Sequence, residues 1–146
     1  MAKRAGFTLI EIVIVVVLMG IMVLIGMPRM MNTLEHNEVR SARTKVVALF
    51  NRARGHAIER NRHVTLWINP AMVVITESIP GGGVDTIMVQ DFAPAGIGLT
   101  TTAASIQIDS RGIATSLGSL AATIVMSKGS HADTVRISGF GRVVNQ

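Results

Sequence analysis

A lone carboxylate, Glu11, stands near the start of an apolar run of about 21 residues, Phe7 to Met27, and is the only charge in it. At the helical rise the run spans about 30 Å, one hydrocarbon thickness. A carboxylate in that setting costs roughly 2.5–3.5 kcal/mol, so it requires a partner. Just upstream lies Lys3-Arg4-Ala5-Gly6. If the backbone is cut between Gly6 and Phe7, the new α-amine is a cation with an ordinary pKa of about 8, one helical turn from Glu11. That amine can pair with Glu11 of its own chain or of a neighbouring one. Either pairing lowers the cost of burying Glu11, and only the second gives assembly.

The remaining reactive side chains form no recognisable constellation. His36, His56, His63 and His131 lack His-Glu-x-x-His spacing, and His56 and His63, seven apart, flank the end of a helix, so surface polarity explains them. Asp85, Asp91, Asp109 and Asp133 are scattered singly, without the dense oxygen ligands of a calcium loop, and turn chemistry accounts for them. Ser41, Ser105 and Ser138 have no G-x-S-x-G context. Pro80-Gly81-Gly82-Gly83 is a flexible loop and not a phosphate loop, since no Gly-Lys-Ser/Thr follows. No catalytic residue, metal or cofactor is expected.

The chain has 14 Lys+Arg against 9 Asp+Glu, no cysteine, one Trp and four Phe. Neither disulfides nor thiolate metal sites are available, so the domain must hold by its core. The mild basic excess permits an anionic partner without demanding one, and aromatic platforms for stacking bases are scarce. Beyond the apolar run, roughly 115 residues suffice for one small domain.

These features require elements to carry them. Lys3 and Arg4 favour a cytoplasmic N-terminus, although Arg29 on the far side weakens the asymmetry. An ordinary secretory signal would be cut beyond its apolar region at an A-x-A-like site, and Val23 to Arg29 offers none. A plain membrane anchor accounts for the length and leaves Glu11 unexplained. Gly20 and Gly26 are six apart, so they make no small-xxx-small face; with Pro28 they loosen the helix, which is expected to kink or melt near Gly26-Met27-Pro28. Val39, Ala42, Val46, Leu49, Phe50, Ala53 and Ala57 then recur every three or four residues and predict an amphipathic helix running to about Arg60. Gly55 within it is expected to let a strand approach.

From His63 the period changes to that of strands: Val64–Ile68, Met72–Thr76, Thr86–Val89, Ile97–Leu99, Ser105–Ile108, Ile113–Thr115, Ala122–Ser127 and Thr134–Ser138, with Asp109-Ser110-Arg111-Gly112 as a hairpin turn. One long helix followed by antiparallel strands is an α+β fold.

Gly6-Phe7-Thr8-Leu9-Ile10-Glu11 resembles the class III signal of type IV pilins and type II secretion pseudopilins. Ala57 to Leu66, Ile106 to Gly112 and Val135 to Val143 are similar to the helix end, central hairpin and last strand of the GspH/FimT family of minor pilins and pseudopilins. The resemblance runs from Phe7 to Val143. It implies cleavage between Gly6 and Phe7 by prepilin peptidase, N-methylation of Phe7 by the same enzyme, and Glu11 as the carboxylate that registers subunits. It implies a leader at 1–6, a transmembrane and fibre-core helix at 7–28, and a periplasmic pilin-like domain at 29–146 with an amphipathic helix (29–61) and a β-rich part (62–146). The expected role is that of a minor pseudopilin near the tip of a type II secretion pseudopilus, anchored in the inner membrane beside other minor and major pseudopilins. The alternative is a type IV minor pilin for pilus initiation or DNA uptake. DNA-receptor members of the family use arginines in a C-terminal Gly-Arg-x-Arg segment. Here Gly141-Arg142-Val143-Val144 keeps only the first, with Arg136 and Arg111 as candidates to join Arg142 in a small basic patch. Otherwise Arg142 finishes an exposed edge strand.

Overall fold

The computed structural model describes residues 6–117 and 121–145; Lys3 and Arg4 lie outside the described residues. A helix, α1 (Leu9–Arg60), precedes strands β1 (Val64–Ile68), β2 (Met72–Ile79), β3 (Gly83–Asp91), β4 (Gly98–Thr101), β5 (Ser105–Ile108), β6 (Ala121–Lys128), β7 (His131–Ser138) and β8 (Val143–Asn145). The chain divides into two compact units between Leu34 and Glu35.

The first unit holds the membrane-length part of α1. Its start is fixed by Thr8, whose Oγ1 accepts the Glu11 N–H at 3.3 Å while its carbonyl accepts the Glu11 and Ile12 N–H groups. Phe7 therefore precedes the helix, which had been expected to begin there; a hydroxyl one residue later satisfies the orphan donors of the first turn. The large apolar side chains from Phe7 to Leu34 are exposed, and a window with mean hydropathy 3.0 is long and apolar enough to cross a membrane. The expected melting near Gly26-Met27-Pro28 does not occur: α1 runs through Pro28 unbroken. Proline forfeits one helical hydrogen bond and costs about 3 kcal/mol, which the helical turns on both sides absorb.

In the second unit the outer half of α1 buries Val39, Ala42, Val46, Leu49, Phe50, Ala53 and Ala57, the seven residues of the predicted stripe. The helix ends on Asn61, held at φ 51°. The Asn61 N–H donates to the Ile58 carbonyl and the Arg62 N–H to the Ala57 carbonyl, the Schellman pairing with asparagine in the left-handed position. Gly55 is exposed and a Cβ there would meet nothing within 4 Å, so the expected close strand is absent.

The strands form two antiparallel four-stranded sheets, β3-β2-β1-β5 and β4-β6-β7-β8. Inward residues alternate along them: Val64, Leu66 and Ile68 on β1, Ile106 and Ile108 on β5, Ala122, Ile124 and Met126 on β6, Val135 and Ile137 on β7. With the helical stripe they make one core. The Pro80-Gly81-Gly82 segment, expected as part of a flexible loop, forms a tight turn. The Gly82 N–H donates to the Ile79 carbonyl, with Pro80 second and Gly81 third at φ 102°, as a type II turn demands. Two further expectations change. Ile113–Thr115 is not a strand: only Ile108 and Ala114 make an isolated bridge, and a 3₁₀ turn follows at Thr115–Leu117. The final segment Val143–Asn145, by contrast, pairs with β7 through Val135, Arg136 and Ile137.

Candidate functional site

At the N-terminal end, a Cβ on Gly6 would meet nothing within 4 Å, and Phe7 is 81% exposed. The Gly6–Phe7 peptide thus lies in non-helical, accessible backbone, the form a protease can engage. Thr8 and Glu11 occupy the N-cap and N3 positions of a capping box, Thr-x-x-Glu, and the threonine half of that box is made. A carboxylate in the first turn also faces the positive end of the helix dipole. The Thr-x-x-Glu spacing was legible in the sequence, and it gives Glu11 a local role at the start of the helix.

The arginines divide. The loops carrying Arg111 and Arg142 abut: a Cβ on Gly141 would lie 3.0 Å from the Gly112 carbonyl oxygen, and the Ala114 N–H donates to the Gly139 carbonyl. Both glycines hold positive φ, 79° and 74°, so only glycine gives this contact without strain. Arg54 of α1 lies against both and donates through Nη1 to the Gly141 carbonyl at 3.4 Å. The contact spans 87 residues, so no local pattern in the sequence announces it. Arg142 is exposed in the turn between β7 and β8, where its N–H donates to Ser138 Oγ. It does not finish an edge strand, as had been the alternative. Arg136 stands exposed on β7 opposite Val144 and lines a shallow cavity with Ala121, Ser138 and Val144.

Arg111 is already committed. Its Nε and Nη2 donate to Asp109 Oδ2 at 3.0 and 2.9 Å, while Asp109 Oδ1 accepts the N–H groups of Arg111 and Ile113. The Ile113 N–H above all, then the Arg111 guanidinium and N–H, hold the Asp109 carboxyl below the usual carboxylate range, with burial opposing them. These bonds close the loop, beyond which only the isolated Ile108–Ala114 bridge forms.

His56 is not simply a surface residue. Its Nδ1 is 3.7 Å from Glu77 Oε2, and Glu77 is 5% exposed on β2 with Arg62 Nη1 donating to its Oε1 at 2.9 Å. This clasp ties the end of α1 to β2. Nearer the start of the unit, Lys128 Nζ donates to Glu38 Oε2 and to the Ala95 carbonyl, and Arg43 pairs with Asp133 at 3.3 Å. His36 and His131 meet edge to face at 5.8 Å. Among the described residues no three His, Asp or Glu side chains converge as metal ligands.

A membrane-length helix whose outer half packs on two small antiparallel sheets defines the pilin-like class. The fold is similar to that of the type IV minor pilin FimU of Pseudomonas aeruginosa, with a TM-score of 0.62 at 18% identity over 77% of this chain and 90% of that one. It is also similar to the minor pseudopilin EpsH of the Vibrio cholerae type 2 secretion system, with a TM-score of 0.60 at 10% identity over 75% and 96%. The prokaryotic N-terminal methylation motif matches residues 1–27, and the family described as type II transport protein GspH matches residues 42–141. The chain belongs to the GspH family. It is also 32% identical over 63 residues to the type II secretion system core protein G of Aeromonas hydrophila, a stretch that spans 43% of this chain and 44% of that relative.

Proposed function

We propose that the chain is a minor pseudopilin, a structural subunit and not an enzyme, assembled near the tip of a type II secretion pseudopilus to support protein export. The observation that carries this reading is the match of residues 42–141 to the family described as type II transport protein GspH, because that description names a type II transport protein whereas the N-terminal motif is common to pilins and pseudopilins alike. In this reading prepilin peptidase cuts between Gly6 and Phe7 and methylates the Phe7 amine. The apolar half of α1 holds the free subunit in the inner membrane, with its N-terminus cytoplasmic and the domain periplasmic, and later joins the fibre core beside other pseudopilins. Glu11 pairs with the N-terminal amine of a neighbour and sets the register.

The test is the variant Glu11→Ala in cells lacking the native chain. Membrane insertion is expected to persist, since the change removes an insertion cost of roughly 2.5–3.5 kcal/mol, while incorporation into fibres and export fall together. Intact mass is expected to show a chain beginning at Phe7. Wild-type export by the variant, or a chain that keeps residues 1–6, refutes the reading.

A second reading, a type IV minor pilin that contacts DNA, is favoured by one observation: the loops of Arg111 and Arg142 are packed together beside Arg54. Against it, the Arg111 charge is held by Asp109, which leaves few free cations for phosphate contacts.

A further inference from the structure

We propose that β3 is a strand-addition site for an extended partner segment in which acidic and apolar residues alternate. The proposal holds whether the assembled fibre serves export or a pilus.

β3 is an outer strand of its sheet and runs for 9 residues, whereas the other outer strands, β5, β4 and β8, have 4, 4 and 3. Short edges are one protection against unwanted pairing; lysine, proline and bulges are others. Gly83–Asp91 contains no lysine, arginine or proline. Its one irregularity falls at Ile87, since Ile75 pairs with Met88 and Thr76 with Thr86. The Met88–Asp91 stretch beyond it is regular, and an added strand pairs along its free side, where it must displace Gln90 Nε2 from the Asp91 carbonyl, to which that nitrogen donates at 2.9 Å.

The two faces of that stretch differ, and together they specify what fits. On the outer face Val89 lies beside Val74 and Val74 beside Trp67, a lateral apolar row in which Val89 is 56% and Trp67 46% exposed. On the inner face Met88 and Gln90 line a cavity of about 230 Å³ with Lys45, Ala48, Leu49 and Arg52 of α1. Lys45 and Arg52 make no ion pair among the described residues. They stand two helical turns apart, about 10 Å, a distance covered by two to four residues of extended chain. Side chains of an added strand alternate between these faces: one set extends the Trp67–Val74–Val89 row, and the other enters the space between Lys45 and Arg52. Asp85 and Asp91 flank the stretch and carry no charge partner among the described residues. The acidic residues of the partner therefore belong opposite Met88 and Gln90 and not at the ends.

The experiment uses the full chain in non-ionic detergent and two blocked octapeptides, one alternating glutamate and valine, the other lysine and valine. Binding is followed by Trp67 fluorescence and by amide hydrogen exchange. Exposed ion pairs each change affinity by about 1.4- to fivefold, so exchanging two attractions for two repulsions predicts a preference for the glutamate peptide of roughly fourfold to several hundredfold, with added protection confined to β3. The double variant Lys45→Glu/Arg52→Glu should reverse the preference while β6 and β7 amides exchange as in the wild type. Equal binding of both peptides, protection on another strand, or an unchanged preference in the variant overturns the proposal. So does concentration-dependent protection of β3 without peptide, which would assign the edge to a second copy.

Discussion

Replacing Arg62 by methionine should strand the Glu77 carboxylate, and the cost can be worked from its surroundings. The Glu77 side chain is 6% exposed and that of Arg62 35%. A hydrogen bond to a charged group contributes about 1.5–3 kcal/mol, and stripping one partner from a fully buried pair costs about 3–5 kcal/mol. Water can reach the site vacated by the one-third-exposed arginine, so the lower bracket applies and about 2 kcal/mol is expected. His56 Nδ1, at 3.7 Å, is beyond hydrogen-bond distance and does not compensate. Glu77→Gln should cost only about 1 kcal/mol, because the amide oxygen still accepts from Arg62. Urea unfolding of a chain beginning near Met30 is the assay, with Trp67, the sole tryptophan, reporting on β1 and β2. In a unit of this size about 2 kcal/mol lowers Tm by roughly 8 °C. A double-mutant cycle should give a coupling of about 1–2 kcal/mol. Coupling below about 0.3 kcal/mol would show that Glu77 does not depend on Arg62, and the clasp at the end of α1 would be incidental.

Phe50 is fully buried at the centre of the helical stripe, so Phe50→Ala should cost about 3–5 kcal/mol in the same unfolding measurement. Asp109 titrates below the usual range in the folded chain, so its stabilisation is fully present above the unfolded-state pKa of about 3.9 and is lost as pH falls through the lower folded value. Asp109→Asn should therefore lower stability at neutral pH and flatten the acid limb of the stability profile; an unchanged acid limb would remove the loop from the account of acid unfolding. For DNA, Arg142→Ala should leave both duplex affinity and its salt dependence unchanged if the chain is a pseudopilin, as read by fluorescence anisotropy across a salt series. A loss of affinity with a slope smaller by about one counterion would favour the second reading.

What could be read in advance followed the range of the interactions involved. The buried stripe Val39 to Ala57 was read residue for residue, because a helical period is local and only one face could meet a core. β1 and β5 were placed to the residue, since each alternates between turn signals. Interactions spanning large loops were not legible. Nothing near Glu77 announces Arg62 and His56, and nothing near Arg54 announces Gly141. The Ile113–Thr115 segment has strand composition, but the Asp109 carboxylate claims the Ile113 N–H and the Gly139 carbonyl the Ala114 N–H. β8 escaped because three residues carry too little alternation to count. At the N-terminus the signal is local: Thr8 and Glu11 stand at the Thr-x-x-Glu spacing of a capping box.

The exposed apolar half of α1 also constrains how the subunit can travel. Roughly 20 large apolar side chains between Phe7 and Leu34 have no cover of their own. At a reduced 1–2 kcal/mol for partly exposed side chains, keeping them in water instead of an apolar phase costs on the order of 20–40 kcal/mol. A free aqueous subunit would then be rarer than about one in 10¹⁴, too scarce to be an intermediate in any process on a cellular timescale. If the chain is anchored and assembled as proposed, its departure from lipid is therefore a hand-off, with each turn of helix passing from acyl chains to protein before the next is released.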